Sequence, residues 1–160
     1  MKLKVLESVA WYAQGLRFSC AGCGNCCTGG PGFVWLEDWE LQRMADFLNL
    51  PVEDALARYA RRIGQQVSLR ELRTAQGNYD CIFLRQQPPP AGAKGVVLPQ
   101  RTCAIYPVRP LQCRTWPFWH GNLSSRAAWQ RAAQRCPGMD RGPLHGQPRI
   151  EALRDARQWP

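Results

Sequence analysis

The sequence lacks the long apolar runs that place a chain in a membrane. No stretch of about 18 apolar, uncharged residues occurs anywhere in it. The opening residues, MKLKVLESVAWY, contain two lysines but are not followed by the apolar core of a secretory signal. We therefore expect a protein without a membrane span in the cytoplasm, where thiols are kept reduced.

The motifs of several common enzyme classes are also missing. The chain contains neither the H-E-x-x-H motif of zinc proteases nor the G-x-S-x-G motif of serine hydrolases. The glycine-rich stretch GNCCTGGPG lacks the lysine that a phosphate-binding loop requires. The sequence therefore identifies no catalytic residue, and the question of enzymatic activity stays open.

Acidic residues are scarce relative to basic ones. The chain has 12 acidic and 21 basic residues and a formal net charge of +9. A basic surface attracts nucleic acid, acidic proteins or anionic lipid. The arginines are spread along the whole chain, however, which is equally typical of an ordinary solvated surface. Charge alone therefore does not identify a partner.

Cysteine, by contrast, is abundant and clustered. Four of the eight cysteines lie in CAGCGNCC, from Cys20 to Cys27. In a reducing compartment such a pattern indicates metal binding or catalysis rather than disulfides. Cys20, Cys23 and Cys26 are separated by two-residue gaps, a spacing that lets three thiolates converge on one centre. This spacing resembles a ferredoxin-type iron–sulfur run more than a zinc ribbon.

The other cysteines leave several arrangements open. Neighbouring side chains diverge, so Cys26 and Cys27 either serve different centres or one of them lies outside the ligand shell. The remaining thiols follow at Cys81, Cys103, Cys113 and Cys136. Eight thiols suit two tetrahedral zinc ions, two 4Fe-4S clusters, or one centre with spare thiols. Alternatively, some of the cysteines, Cys81 above all, are buried apolar residues.

The periodicity of the chain predicts a small, irregular α+β fold in a single domain spanning residues 1–160. One predicted helix places Leu41, Met44, Ala45 and Leu48 on one face. A second begins at Pro51, runs to Ile63 and is ended by Gly64. We predict two more helices, within NLSSRAAWQRAAQRC and within PRIEALRDARQW.

Strands are predicted in the middle of the chain. The segments VSL and YDCIFL flank the turn QGN between Val67 and Leu84, which predicts a small antiparallel hairpin. The proline-rich QQPPPAGAKG predicts a mobile surface loop. The segment RTCAIYPVRPLQCRTWPFW predicts irregular structure, with one helical turn before Cys113.

Four segments together resemble a known family. RFSCAGCGNCCTG, CIFL, CAIYPVRPLQCRTWPFW and CPG occur in this order, and they resemble the YkgJ-like cysteine-cluster (CxxCxxCC) family of zinc- or iron-chelating proteins. The resemblance extends from about Trp11 to Ile150. It implies a chelating domain whose ligands come from Cys20, Cys23, Cys26, Cys27, Cys81, Cys103, Cys113 and Cys136. It implies no settled reaction, and the methylase activity of flagellin lysine methylases, which carry a similar cluster, is not carried over.

Two arginines and several aromatic residues surround the later cysteines. Arg109 and Arg114 flank Cys113, where guanidinium groups offset the charge of a cluster or pair with nearby carboxylates. Trp116, Phe118 and Trp119 are predicted to shield the site from water, and His120 is predicted to pack beside them. His145 is predicted to be exposed.

Three functional classes remain at this stage. The first is a redox or electron-transfer protein with one or two iron–sulfur clusters, most simply of the 4Fe-4S type, and an unidentified redox or protein partner. The second is a zinc-stapled module that binds nucleic acid or a protein. The third is a cluster-dependent methylase or oxidoreductase. Iron–sulfur chemistry is the preferred prediction and zinc is the alternative.

Overall fold

The computed structural model describes residues 9–88, 91–92 and 100–157. Its strands are β1 (Leu16–Phe18), β2 (Thr28–Gly29), β3 (Trp35–Leu36), β4 (Ala60–Ile63), β5 (Gln66–Leu69), β6 (Glu71–Arg73), β7 (Tyr79–Cys81), β8 (Leu84–Gln87), β9 (Gln100–Cys103) and β10 (Met139–His145). Its α-helices are α1 (Asp38–Leu48), α2 (Val52–Tyr59), α3 (Leu111–Thr115), α4 (His120–Leu123), α5 (Arg126–Ala133) and α6 (Gln147–Arg154). Two 3₁₀ helices lie at Asn25–Cys27 and Tyr106–Val108. The predicted α+β class is therefore confirmed.

The internal contacts divide the chain into two compact units. Of the described residues, 9–20 and 117–157 form unit 1, and 21–88, 91–92 and 100–116 form unit 2. That residues 1–160 act as one metal-binding domain stays a prediction. No helix of the described segments is long and apolar enough to cross a membrane.

Unit 2 is built around one hydrophobic cluster. Helices α1 and α2 pack together and against a sheet in which β5 lies between β3 and β4. The predicted apolar face of α1 is confirmed, because Leu41, Met44 and Ala45 are buried and Leu48 packs against the same cluster. Phe83 and Ile105, from the segments next to Cys81 and Cys103, are also fully buried there. The cysteine-bearing segments are thus anchored to the core by their apolar neighbours.

The second predicted helix is too long by one turn. Helix α2 ends at Tyr59, and Ala60–Ile63 forms strand β4 instead of continuing the helix. Strand β4 pairs antiparallel with β5, with Ala60 opposite Leu69 and Ile63 opposite Gln66. Gly64 begins the reversal between them with φ 60. Pairing with β5 therefore overrides the helical periodicity that the sequence carries across this segment.

The predicted hairpin is present, but with a different first strand. Strand β7 pairs with β6, not with Val67–Leu69, which belongs to the sheet of β3 and β4. Strands β8 and β9 form a further antiparallel pair. The predicted proline-rich loop lies between these two strands in the sequence. Most of the predicted mobile loop, residues 89–90 and 93–99 of that region, lies outside the described residues.

Buried polar groups fix α3 to the rest of unit 2. The Gln112 side chain accepts a hydrogen bond from the Trp35 backbone N–H (2.9 Å) and donates one to the Phe33 carbonyl (3.0 Å). The Glu40 carboxylate accepts hydrogen bonds from the backbone N–H groups of Leu111 (2.5 Å) and Glu37 (2.9 Å). Gln112 and Glu40 are only 8% and 3% exposed. These contacts hold Cys113, the neighbour of Gln112, in a defined place.

Unit 1 has a core of aromatic side chains. Phe118 stacks on Trp129, with ring centroids 5.9 Å apart, and meets Phe18 edge to face. The indole of Trp11 donates to the Leu123 carbonyl (2.8 Å), and that of Trp129 donates to Asp140 (2.8 Å). The predicted long helix before Cys136 is divided into α4 and α5, because the Ser125 side chain accepts from the Ala128 N–H and caps α5. The predicted last helix is present as α6.

The buried amide of Gln112 predicts a stability effect. We expect Gln112→Leu to lower the free energy of unfolding by about 2–4 kcal/mol, because a buried donor and a buried acceptor lose their partner. Urea unfolding of the reduced protein, followed by tryptophan fluorescence, measures the effect. Gln42→Leu is the matched control: Gln42 is exposed, and its side chain donates a hydrogen bond to Asp46 on its own helix, so a change within about 0.5 kcal/mol is expected. Equal effects of the two substitutions would contradict the role given to Gln112.

Candidate metal centre

The first cysteine segment is shaped by a close backbone contact at Gly24. Gly24 has φ 69, and the Cys27 N–H donates to its carbonyl (3.0 Å), closing the 3₁₀ helix that carries Cys26 and Cys27. A side chain at Gly24 would place its Cβ 2.8 Å from Leu84 Cδ1 and 2.9 Å from Arg101 Cβ. The predicted loop is therefore packed directly onto the β8–β9 hairpin, which contains Cys103.

Strand pairing brings Cys81 to the same region. Directly after Cys27, Thr28 of β2 pairs with Asp80 of β7, and the Thr28 hydroxyl donates a hydrogen bond to the Asp80 carboxylate. Cys27 and Cys81 thus flank the same antiparallel pair. Cys81 is also partly buried and packs against the hydrophobic cluster of unit 2, so its role as a ligand and its alternative role as a core cysteine both stay predictions.

Cys103 and Cys113 reach the region from the second half of unit 2. In the β8–β9 ladder, Cys103 lies opposite Leu84, the residue that touches Gly24. The Ala104 N–H then donates to the Phe83 carbonyl (2.9 Å), which ties this strand end to the segment after Cys81. Cys113 is carried by α3, whose position is set by Gln112 and Glu40.

These elements gather five thiols that interact electrostatically with one another. We call Cys26, Cys27, Cys81, Cys103 and Cys113 the five-thiol group. Burial, the largest cause, acts together with the neighbouring Cys103 and Cys26 to raise the pKa of Cys81 to about 11. Burial likewise raises the pKa of Cys113, and Cys81, Cys26 and Cys103 add to the shift. Without a cation, most of these thiols therefore stay protonated at neutral pH.

Cys26 and Cys27 form the one direct sulfur–sulfur contact of the group within the described residues. Their Sγ atoms are 3.9 Å apart. A thiolate on Cys26 accepts a hydrogen bond from the Cys27 thiol, which lowers the pKa of Cys26 to about 7 and raises that of Cys27. The charge of Arg109 makes a smaller contribution to the lowered pKa of Cys26. Cys26 is consequently the thiol of this group that ionises first.

The remaining sulfurs are near one another but not tightly packed. All eight cysteines lie within the described residues 9–88, 91–92 and 100–157. Within these residues, no three His, Cys, Asp or Glu side chains are close enough to coordinate a single metal ion. The donor set itself, several partly buried thiols in one place, has the chemistry of zinc and iron–sulfur sites. The residues therefore fit a thiolate-bound metal.

Arg109 and Arg114 have different positions, although both were predicted to serve the cofactor. Arg109 lies near the five-thiol group, where its charge lowers the pKa values of Cys26, Cys103 and Cys113. Arg114 is exposed, and its guanidinium lies over the Trp39 ring, 5.9 Å from the centroid. A direct role of Arg114 toward the cofactor stays a prediction.

Two arginines near the thiols were missed by sequence reasoning. Arg85 lowers the pKa of Cys103, and its guanidinium donates to the carbonyls of Ile82 and Leu84. Arg101 packs its stem against Gly24. The signal that could have found them is cross-strand pairing, because both lie on the hairpin that ends at Cys103.

Cys20, Cys23 and Cys136 lie outside the five-thiol group. Cys23 is a half-buried residue of unit 2 in the loop before Gly24. Cys20 and Cys136 belong to unit 1, where the Ser19 N–H donates to the Gly138 carbonyl (3.1 Å) and brings their two segments together. That Cys20, Cys23 and Cys26 share one centre, and that all eight cysteines are ligands, stay predictions.

The other residues singled out in the sequence have structural roles. His120 is exposed beside Asp155 (Nε2 to Oδ1, 3.2 Å), so its predicted packing role is wrong. His145 is half-buried against Phe118, with its Nε2 3.0 Å from the Phe18 carbonyl, so its predicted exposure is also wrong. Phe118 is buried in the aromatic core of unit 1. Trp116 and Trp119 are half-buried, and their predicted shielding of a metal stays a prediction.

Comparison with known proteins decides the family. Residues 19–137 match the CxxCxxCC family model, described as "Putative zinc- or iron-chelating domain". The chain belongs to this family. The predicted family is therefore confirmed, and so is metal chelation as the general function of the domain. Among the described residues, the matched region contains the whole five-thiol group with Arg85, Arg101 and Arg109.

A curated relative shares the domain in a longer chain. An uncharacterized protein of Methanocaldococcus jannaschii is 30% identical over 107 residues, which cover 67% of this chain and 48% of the relative. The chain thus spans about half the length of this relative. No solved structure matches the chain.

The contact at Gly24 predicts a sensitive position. We expect Gly24→Ala to displace the cysteine loop from Leu84 and Arg101 and to lower bound metal per protein chain several-fold. Gly22→Ala is the matched control, because Gly22 also has a positive φ (64) but has nothing within 4 Å of an added Cβ. In both variants an alanine at positive φ costs about 1–2 kcal/mol of backbone strain. The two variants therefore differ only in the clash of the added Cβ with Leu84 and Arg101 at position 24. Equal metal content in the two variants, measured by elemental analysis, would show that this contact does not shape the site.

The lowered pKa of Cys26 predicts selective reactivity. In the reduced, metal-free protein at pH 7, iodoacetamide should modify Cys26 first, because only the thiolate reacts and Cys26 ionises about two pH units below the ordinary thiol value of 9.0. Cys81 should react appreciably only as the pH approaches 11. Peptide mass mapping after short exposures measures both rates.

The same experiment includes a charge control. Arg109→Gln should slow the modification of Cys26 at pH 7, because loss of the guanidinium raises the pKa of this thiol. Arg62→Gln, on strand β4, should leave the rate unchanged. Modification of Cys81 at the same rate as Cys26 at pH 7 would refute the assignment.

Proposed function

We propose that the protein binds an iron–sulfur cluster of the 4Fe-4S type through cysteine thiolates of unit 2. We further propose that it serves in the cytoplasm as a redox or electron-transfer protein. When bound, such a cluster supplies one-electron chemistry. The residues of this chain would bind the cluster, limit its contact with water and balance its charge. The ligands are drawn from the five-thiol group, with Cys23 as a further donor from the same loop.

The observation that carries the proposal is the number of thiols gathered in unit 2, together with the two-residue gaps between Cys20, Cys23 and Cys26. A single zinc ion takes four ligands. The five-thiol group alone supplies more thiols than that, and Cys23 lies in the same loop as Cys26. The two-residue gaps resemble a ferredoxin-type iron–sulfur run more than a zinc ribbon. These features favour a cluster over one zinc ion.

The surroundings of the thiols support the same proposal. Four thiolates and an iron–sulfur core carry a net negative charge, which is costly in a partly buried site without cations. Arg109 and Arg85 supply positive charge at Cys103, and Arg109 does so at Cys26 and Cys113 as well. In iron–sulfur proteins, local charge and solvent exposure tune the reduction potential. Arginines at these positions are consequently suited to set the reduction potential of a bound cluster.

Metal content tests the proposal directly. Protein purified without oxygen should be brown and should contain iron and acid-labile sulfide in equal amounts. Reduction by dithionite should bleach the visible absorption and give an electron paramagnetic resonance signal. A colourless preparation that contains zinc and no sulfide would refute the iron–sulfur proposal and favour the zinc-stapled module.

Serine variants test the ligand set. Cys81→Ser should lower the iron and sulfide content by several-fold, because it removes one thiolate of the five-thiol group. Leu72→Ser is the matched control on the same hairpin, where Leu72 is 55% exposed and lies opposite Asp80 rather than Cys81. An unchanged cluster in Cys81→Ser would exclude this residue as a ligand.

A further inference from the structure

One surface of unit 2 carries two exposed aromatic rings, each covered by an arginine. Tyr106 is 42% exposed and Trp39 is 51% exposed. The Arg109 guanidinium lies 3.5 Å from the Tyr106 ring centroid, and its Nε donates to the Tyr106 carbonyl (3.0 Å). The Arg114 guanidinium lies over Trp39. We call Trp39, Tyr106, Arg109 and Arg114 the aromatic–arginine surface.

The structure holds these four residues on elements that contact one another. Trp39 precedes Glu40, whose carboxylate binds the Leu111 N–H at the start of α3. Helix α1, which carries Trp39, packs against the 3₁₀ helix that begins at Tyr106. Arg109 and Arg114 lie on either side of Cys113. The surface is therefore built on the same rigid supports as the proposed ligands.

The surface also lies close to the five-thiol group. Arg109 stacks on Tyr106 and at the same time acts electrostatically on Cys26, Cys103 and Cys113. One side chain thus connects the exposed ring to the sulfurs.

We propose that the aromatic–arginine surface docks an acidic electron-transfer protein that exchanges electrons with the cluster. The inference rests on the proposed function, and it names the partner class of that same site. Tryptophan, tyrosine and arginine are the residue types that carry most binding energy at protein interfaces. Transient redox complexes are small, and complementary charge sets their association rate. The net charge of +9 attracts an acidic partner over distance.

A protein fits this surface better than a nucleic acid does. Glu37 and Asp38 are exposed immediately before Trp39. A continuous phosphate backbone that stacked a base on Trp39 would meet both carboxylates. A folded partner can place a neutral or basic residue opposite them while it pairs its acidic residues with Arg109 and Arg114.

Electron transfer to proteins of opposite charge tests the inference. The dithionite-reduced, desalted protein is mixed with oxidised flavodoxin, an acidic flavoprotein, and separately with ferric cytochrome c, which is basic. One electron leaves the cluster; the flavin takes it up with one proton from water to give the flavin radical, or the haem iron is reduced from ferric to ferrous. Stopped-flow absorbance follows either product. Transfer to flavodoxin should be faster and should slow as salt is added.

Three variants locate the docking surface. Arg114→Glu and Trp39→Ala should each lower the second-order rate with flavodoxin by about tenfold. Arg62→Glu makes the same change in net charge on exposed strand β4, and its rate should stay within about twofold of the wild type. Iron and sulfide are measured in every variant. Because Trp39→Ala leaves the charge unchanged, it also keeps the test decisive if Arg114→Glu fails to fold.

The outcomes separate this inference from the proposed function. Normal clusters with equal flavodoxin rates in all four proteins would overturn the docking surface and leave the redox proposal intact. Absence of iron and sulfide from the wild type would overturn both. Tight binding of a fluorescent single-stranded oligonucleotide, lost in Trp39→Ala and Arg114→Glu but not in Arg62→Glu, would assign the surface to nucleic acid instead.

Discussion

Thiolate charges in the five-thiol group repel one another because the sulfurs are partly buried and lie within electrostatic reach. Burial is the largest cause of the raised pKa values of Cys81, Cys103 and Cys113, and repulsion between thiolates adds to it. The hydrogen bond between Cys26 and Cys27 lowers the pKa of the first thiol and raises that of the second. A metal centre relieves this repulsion, so its binding free energy is also folding free energy for the segments that carry the thiols. The packing of Gly24, the β2–β7 pair and the Gln112 contacts all serve to hold those segments together.

Local patterns in the sequence predicted those elements that local physics determines. The apolar face of α1 follows from periodicity and was predicted correctly, since Leu41, Met44 and Ala45 meet one core. The end of α2 was predicted wrongly, because Ala60–Ile63 forms a strand only through its hydrogen bonds to β5. The partner of β7 was missed for the same reason: Glu71–Arg73 and Val67–Leu69 are both extended, and only the remaining sheet decides between them.

The candidate site was predictable in its residue types but not in its grouping. The spacing of Cys20, Cys23 and Cys26 pointed to metal without showing that the sulfurs of Cys26 and Cys27 would be in contact. The role of Arg109 could be inferred from its position beside Cys113, whereas Arg85 and Arg101 approach the thiols only through the β8–β9 register. Cross-strand and buried polar contacts of this kind join residues far apart in sequence, and no local pattern encodes them.

The contacts of Gln112 also bear on how the site is assembled during synthesis. They join α3 to residues 77 and 79 positions earlier in the chain. The ribosome synthesises the Cys20–Cys27 segment long before it synthesises Cys113. For that time the first cysteines are present without helix α3, which later packs near them. During that interval they are open to oxidation and to capture by the wrong metal. A metal that uses thiols of both segments can therefore be bound completely only after translation has passed α3.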